Sequence, residues 1–278
     1  MTAEILNHYL ETWRLSEPHL LAETHTSYVY TVNSGGETAV LKLLKPHADE
    51  EQNGAVALMH FNGQGAVRLL RHDSNAHLLE YAGGDDLVSM VARGDDAKAA
   101  GIIADVLTQL HAVPVDVPPP GLTPLRRWFR ALFNQAERER DKGADSVYIR
   151  AATVAEKLLS APQDERVLHG DIHHENIRYR DGRGWLAFDP KGLYGERTYD
   201  AANTLCNPIN MPDVVEDETR LLTISGFLAK RLHFDHARLL AFVFAYACLS
   251  ASWWLNDGVD PVGELRIAEL AEPHIGGF

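Results

Sequence analysis

Residues 167–192 read VLHGDIHHENIRYRDGRGWLAFDPKG, and three of them stand at a spacing that could do chemistry. Asp171 follows His-Gly, Asn176 comes five residues later, and Asp189 closes an apolar run just before Pro190. Two carboxylates and one amide oxygen are hard oxygen ligands, suited to Mg²⁺ when substrate phosphates complete its shell. One Asp held apart from the metal can accept a hydroxyl proton while the Asn and the second Asp grip metal-bound phosphates. Phosphoryl transfer to an alcohol needs that division, because positioning and charge neutralisation supply most of the catalysis. Two blander readings compete. Each Asp could be a turn former alone. His169, His173 and His174 could suggest zinc in a chain with 14 histidines. Zinc pairs so spaced need a helix to share a face, and the Gly170-Asp171 break argues against one.

The elements that must position these residues follow from the local pattern. Residues 166–168, 177–179 and 185–188 read as short strands, with Asp181-Gly182-Arg183-Gly184 as hairpin turn chemistry between the last two. The three polar groups then sit at strand ends, where loops carry chemistry on a rigid scaffold. Upstream, residues 8–13 suit a short helix, and residues 28–32 and 38–44 form a β-rich pair around a Ser-Gly-Gly-Glu turn. A helix over 49–60 follows, then strands over 65–70 and 77–81, then the glycine-rich shift at 82–86 that marks a domain boundary. Beyond it helices dominate, over 95–112, from Thr123-Pro124 to Lys142, and over 145–161, 235–255 and 260–271. Pro124 and Pro261 read as first-turn prolines, and Asp235 and Asp260 as N-caps. The arginines of the second of these helices, Arg126, Arg127, Arg130, Arg138 and Arg140, read as a solvated face. The expected division is residues 1–82, with a hinge at about 80–84, and residues 83–278.

Composition bounds the partners. The chain has 278 residues, 45% hydrophobic and 23% charged, which is ordinary globular material. A formal charge of −13 disfavours nucleic acid and anionic membrane surfaces and suits a cationic small molecule. No basic region with a following apolar core opens the chain, so no signal peptide is expected. The apolar run at 239–255 reads as a buried core helix rather than a membrane span. The two cysteines, Cys206 and Cys248, form no disulfide framework and read as small core residues. A cytoplasmic monomer or weak homodimer is expected.

Four stretches carry a family resemblance: residues 63–70 (GQGAVRLL), 79–83 (LEYAG), 168–177 (LHGDIHHENI), and 184–186 (GWL) running on to Asp189-Pro190. Together they resemble the aminoglycoside phosphotransferases and their choline-kinase-like relatives, closest to the streptomycin phosphotransferases, a group also called aminoglycoside/hydroxyurea antibiotic resistance kinases. The resemblance covers essentially the whole chain. It implies an α+β, two-lobed protein-kinase-like fold, with a small β-rich N-lobe and a larger, mainly helical C-lobe holding a catalytic hairpin. It implies ATP and Mg²⁺ as cofactors, Asp171 as catalytic base, and Asn176 and Asp189 as metal ligands. Residues 39–42 (AVLK) resemble the kinase strand whose lysine grips phosphates, which assigns Lys42; an exposed strand lysine is the bland reading. The family's register selects Glu51 as its partner, with Glu50 in the same turn as the alternative. Thr26 and Ser27 stand where the family covers phosphates with a short serine loop, and the backbone of Glu80, Tyr81 and Ala82 stands at the adenine-binding hinge. For the acceptor, a guanidinium-rich sugar wants carboxylates and amides. The candidates are Asp200, Asn203, Asn207, Asp213, Glu216 and Asp217, with Asp200 alternatively a brace of the catalytic loop and 213–218 a solvated acidic stretch. The implied reaction is phosphorylation of a streptidine-ring hydroxyl of streptomycin. The alternatives are a kinase of the same fold with a metabolic acceptor (choline, homoserine, a fructosamine or a sugar alcohol) and a non-catalytic nucleotide-binding module.

Overall fold

The computed structural model describes residues 2–46, 49–143 and 145–278, with the side chains of Thr2, Asp49 and Glu50 outside the described part. Helix α1 (Thr2–Trp13) precedes a five-stranded antiparallel sheet of β1 (Leu15–Glu23), β2 (Ser27–Ser34), β3 (Glu37–Leu44), β4 (Leu69–His72) and β5 (Ala76–Glu80). The strand order is β1-β2-β3-β5-β4. Side chains alternate across a strand, and β3 divides accordingly. Ala39, Leu41 and Leu43 join Tyr9, Leu15, Val32, Ala76 and Leu78 in a small core with α1. Val40 packs on a second, larger core, and Lys42 shares its face.

Helix α2 (Asp49–Phe61) links the halves of the molecule, since its Ala57, Leu58 and Phe61 belong to that larger core together with Leu79. The chain then runs through α3 (Val88–Ala92), α4 (Asp96–His111), β6 (Thr123–Pro124), α5 (Leu125–Trp128), α6 (Arg130–Asp141) and α7 (Val147–Ser160). Strand β7 (Glu165–Leu168) leads to the hairpin of β8 (Ile177–Arg180) and β9 (Gly184–Ala187). Strand β10 (Leu193–Glu196), helices α8 (Thr198–Leu205), α9 (Pro212–Val215), α10 (Glu218–Leu232), α11 (His236–Asn256) and α12 (Val262–Ala271) complete it. Helix α11 packs on α6, α7, α8, α10 and α12. It is long and apolar enough to cross a membrane, yet 72% of its most apolar stretch is buried, so it is the axis of the helical half. Cys206 and Cys248 are buried, free members of this core.

The β8–β9 hairpin is gripped from both sides. On the β8 side the Tyr179 carbonyl accepts from the Gly84 amide (3.0 Å) and the Tyr179 amide donates to the Asp85 carbonyl (3.1 Å). On the β9 side Val67 donates to the Ala187 carbonyl (2.9 Å) and Ala187 to the Gly65 carbonyl (2.8 Å). The segments on either side of β4 and β5, residues 65–67 before them and 84–85 after, therefore frame the hairpin.

Several sequence expectations need correction. Residues 65–67 are not a sheet strand, because their hydrogen bonds go to β9; the strand there begins at Leu69. Strand β1 was not expected. Eight of its nine residues are exposed, it carries Pro18, and its register slips twice against β2, so it is an irregular edge strand with no alternation to read. The opening helix is also longer than 8–13. Pro124 does not start a helix in its first turn: its backbone is extended (φ −58°, ψ 138°), Thr123 and Pro124 pair with β10, and the helix beyond is split at Phe129. Asp235 does cap α11, accepting from the Arg238 amide at 2.8 Å. Asp260 does not cap α12, whose N-cap is Pro261.

Candidate active site

Strand β7 ends at Leu168, and the loop after it is shaped by one buried carboxylate from α8. Asp200 is fully buried; it accepts from the His169 amide (3.1 Å), the Gly170 amide (2.7 Å) and His111 Nε2 (2.9 Å). Gly170 sits at φ +84°, and a Cβ there would meet the Leu193 side chain at 2.7 Å, so the middle residue of His-Gly-Asp has to be glycine. His169 donates Nε2–H to the Phe188 carbonyl (3.0 Å) and accepts the Asp171 amide on Nδ1 (3.3 Å). That fixes its tautomer, and burial drives its ring down to about 4, so it is neutral.

Asp171 is then held by amides. Its Oδ1 accepts from Asn203 Nδ2 (2.7 Å), and its Oδ2 and main-chain carbonyl accept from Asn176 Nδ2 (3.2 and 3.0 Å). Asn203 is itself held by Asn207, whose Nδ2 donates to Asn203 Oδ1 at 2.8 Å. Burial opposes the Asp171 charge, but His173 at 3.8 Å and Lys191 at 3.4 Å outweigh it and hold the carboxyl well below its usual range. With its Nδ2 on Asp171, Asn176 keeps its amide oxygen for a cation.

Asp189 faces Asp171 across the loop. It adopts φ +60°, a left-handed conformation uncommon outside glycine and unexpected before proline, which re-aims its carboxylate at strand β3. Lys42 Nζ lies 2.5 Å from its Oδ1 and 2.6 Å from Glu51 Oε2, and Lys191 Nζ lies 3.0 Å from its Oδ2. Burial raises the Asp189 pKa; the two lysines lower it further than burial raises it, so it is ionised. Asn176 and Asp189 are oxygen donors of the kind Mg²⁺ takes when bound phosphates complete the shell. Among the described residues no group of three or more His, Cys, Asp or Glu side chains is placed to hold a metal ion by itself.

The remaining candidates separate. Lys42, Glu51, Asp171, Asn176 and Asp189 come together in one cluster; the Glu50 side chain lies outside the described residues. Thr26 donates its hydroxyl to Glu51 Oε1 at 2.5 Å, which sets it beside the lysine pair. Ser27 is fully buried, with its hydroxyl against Thr24 Oγ1 at 3.0 Å, so its side chain reaches no phosphate. Glu80 is buried, its carboxylate is taken by Arg183 (2.7 and 2.6 Å) and the Arg68 amide (3.0 Å), and its own amide donates to the Arg68 carbonyl (2.9 Å). The Tyr81 carbonyl accepts from Arg180 (3.1 Å), its ring covers Gly83, and Ala82 packs on the main core. As acceptor contacts, Asp200 and Asn203 are corrected: Asp200 has no exposed surface, and Asn203 is buried with its amide on Asp171. Asp213 is exposed on α9 and Glu216 half-buried, while Asp217 caps α10 through the Arg220 amide (2.6 Å). Sequence reasoning missed Lys191 and His111. A lysine two residues past Asp189 was visible, but its direction was not.

Where the β-sheet meets the helical half, two lysines, three carboxylates and Asn176 thus converge, and such a set of groups is what a kinase-type phosphotransferase acting on an alcohol uses. Residues 12–258 match the family described as aminoglycoside/hydroxyurea antibiotic resistance kinase, and the chain belongs to that family. It is 38% identical over 257 residues to a streptomycin 3''-kinase of Klebsiella pneumoniae, covering 90% of this chain and 92% of that one. It is 30% identical over 275 residues to a streptomycin 6-kinase of Streptomyces griseus, covering 95% and 87%. In fold it is similar to the apo form of a thermostable mutant of aminoglycoside phosphotransferase APH(4)-Ia, with a TM-score of 0.67, 15% identity and 97% and 99% of the two chains covered.

Proposed function

We propose that this protein transfers the γ-phosphate of ATP to a hydroxyl of streptomycin, as a monomer or weak homodimer in the cytoplasm. The observation that carries the reading is the convergence on one cleft of Lys42–Glu51, Asp189 and an Asp171 fixed by two amides. Residues 1–82 form the nucleotide-binding lobe, 83–278 the lobe that carries the catalytic loop and the acceptor site, and the backbone of Glu80 to Ala82 receives adenine. Lys42, aligned by Glu51, holds the phosphates, with Thr26 beside it. Asn176 and Asp189 would hold Mg²⁺, which when bound would supply charge neutralisation to the phosphates. Asp171, fixed by Asn176 and Asn203, orients the acceptor hydroxyl. A carboxylate so stabilised is a weak base, suited to taking the proton late, as a loose phosphoryl-transfer transition state requires. Asp213, Glu216 and Asp217 are the acidic candidates with surface left for a cationic sugar.

The names of the two relatives support the acceptor but differ in position, 3'' and 6. The streptidine-ring hydroxyl expected from the sequence is therefore tested by locating the phosphate on the product. The deciding assay is ADP release from Mg-ATP with streptomycin, other aminoglycosides, hydroxyurea, choline, homoserine and simple sugars. Selective turnover with streptomycin is expected. Turnover with a metabolite alone would remove streptomycin from the account and leave the phosphotransferase standing.

A further inference from the structure

Lys191 lies two residues beyond Asp189 and has no task in the reading above. Its Nζ is 3.0 Å from Asp189 Oδ2 and 3.4 Å from Asp171 Oδ2. One ammonium group thus pairs with both the carboxylate assigned to the metal and the carboxylate assigned to the acceptor hydroxyl. Lys42 reaches only the first of these, on its other oxygen. Nor is His173 an equivalent cation: its Nε2 is 3.8 Å from Asp171, and its Nδ1 accepts the Glu175 amide at 3.3 Å.

The backbone that presents Lys191 is fixed independently of the side chain. Its amide donates to the His169 carbonyl (2.7 Å), and the next carbonyl, of Gly192, accepts from the Thr123 amide (3.0 Å). Gly192, at φ +64°, approaches the Asn53 carbonyl of α2 so closely that a Cβ would overlap it, and Gly54 stands in the same relation to the Pro190 carbonyl. The loop 190–192 is therefore clamped between β6 and α2, and the long side chain is held at its far end by two carboxylates. In phosphoryl transfer, charge spreads over the equatorial oxygens of the group that moves from the metal-bound donor to the acceptor oxygen. A fixed cation aimed at that path stabilises the charge as it develops.

We propose that Lys191 is a catalytic residue, the cation that contacts the γ-phosphoryl group between Asp189 and Asp171. This rests on the roles given above to Asp171 and Asp189. Lys42 and Lys191 face Glu51, Asp171 and Asp189, so two fixed cations stand among the three carboxylates where a triphosphate would bind.

The test is calorimetric titration of the wild type, Lys191→Met, Lys191→Arg and Asp189→Asn with ATP and with ADP, each with and without Mg²⁺. Losing a charged hydrogen bond to the γ-phosphate should weaken ATP by roughly tenfold or more in Lys191→Met. ADP binding should change by less than about twofold in that variant, and Lys191→Arg should regain most of the ATP affinity. Turnover in Lys191→Met should fall by about 10²–10³. Equal loss for ATP and ADP, or tighter ATP binding as expected of a mere competitor for Asp189, would overturn the proposal. Asp189→Asn separates the underlying reading: it should lose the Mg²⁺ dependence of nucleotide binding, and if that dependence survives, the site assignment falls and Lys191 with it. Should Lys191→Met not fold, Lys191→Gln gives the same comparison.

Discussion

His77 lies on β5 directly across from Lys42 on β3, and its Nε2 is buried with no hydrogen-bond partner. Burial, and after it Lys42, push the ring down to about 4, while Glu51 and Asp73 act in the opposite sense. A neutral histidine there leaves Lys42 to Glu51 and Asp189, where an imidazolium would repel it. The folded pKa is below the model-peptide value of 6.5. Between pH 6.5 and about 4 the unfolded chain therefore binds a proton that the folded one refuses, and stability falls as pH falls. Each pH unit inside that window is worth about 1.4 kcal/mol per histidine. His169 and His174, pushed by burial down to about 4 and about 3, act in the same direction. In His77→Leu, the dependence of urea-unfolding free energy on pH over this window should be shallower by that one histidine's share. An unchanged slope would show that His77 does not titrate as its burial demands.

Elements, not single residues, align the cleft. Helix α2 holds Glu51 at one end and rests on the 190–192 loop at Gly54, where a Cβ would overlap the Pro190 carbonyl. Glycine inside a helix costs about 1 kcal/mol relative to alanine, so this one is retained for the approach it permits. Gly54→Ala should strengthen α2 locally and still push it off the 190–192 loop, parting Glu51 from Lys42. A displacement of about 1 Å at a phosphoryl-transfer site can cost on the order of 10²-fold. We expect kcat/KM for ATP to fall by roughly that factor in a variant whose circular dichroism is unchanged; wild-type kinetics would separate α2 from the alignment. This contact also shows what the sequence could reveal. The hairpin, its Asp-Gly turn and the core helix α11 were legible because local periodicity and turn chemistry encode them. The grouping of Asp171, Asn176 and Asp189 was legible as spacing, whereas Lys42 and Glu51 were assigned by the family resemblance. Strand β1, the bridge at Thr123–Pro124, the burial of Ser27 and the direction of Lys191 were not, since each depends on a partner far away in the chain.

At the scale of the molecule, a buried ion pair ties α11 to the strand that leads into α8. Arg238 Nε and Nη2 donate to both oxygens of Glu196 (2.7 and 2.5 Å), and Arg238 also donates to the Leu158 and Ala161 carbonyls (3.3 and 2.9 Å). Both partners are buried, and Glu196 holds the Gln163 amide as well (2.9 Å). Arg238→Met would leave a buried carboxylate without its cation, so it should destabilise the protein by about 3–5 kcal/mol in urea unfolding. A loss under about 1 kcal/mol would mark the pair as no better than a surface one. With α8 placed by this frame, Asp200 and Asn203 reach the loop at 169–171, and the whole architecture converges on Asp171. The most direct measurement is therefore ³¹P NMR of streptomycin incubated with Mg-ATP and either the wild type or Asp171→Asn. The wild type should yield a phosphate monoester of streptomycin, and Asp171→Asn should form it about 10²–10⁴-fold more slowly while binding Mg-nucleotide as before. No ester from a wild type that binds nucleotide, or an undiminished rate in Asp171→Asn, would contradict the account.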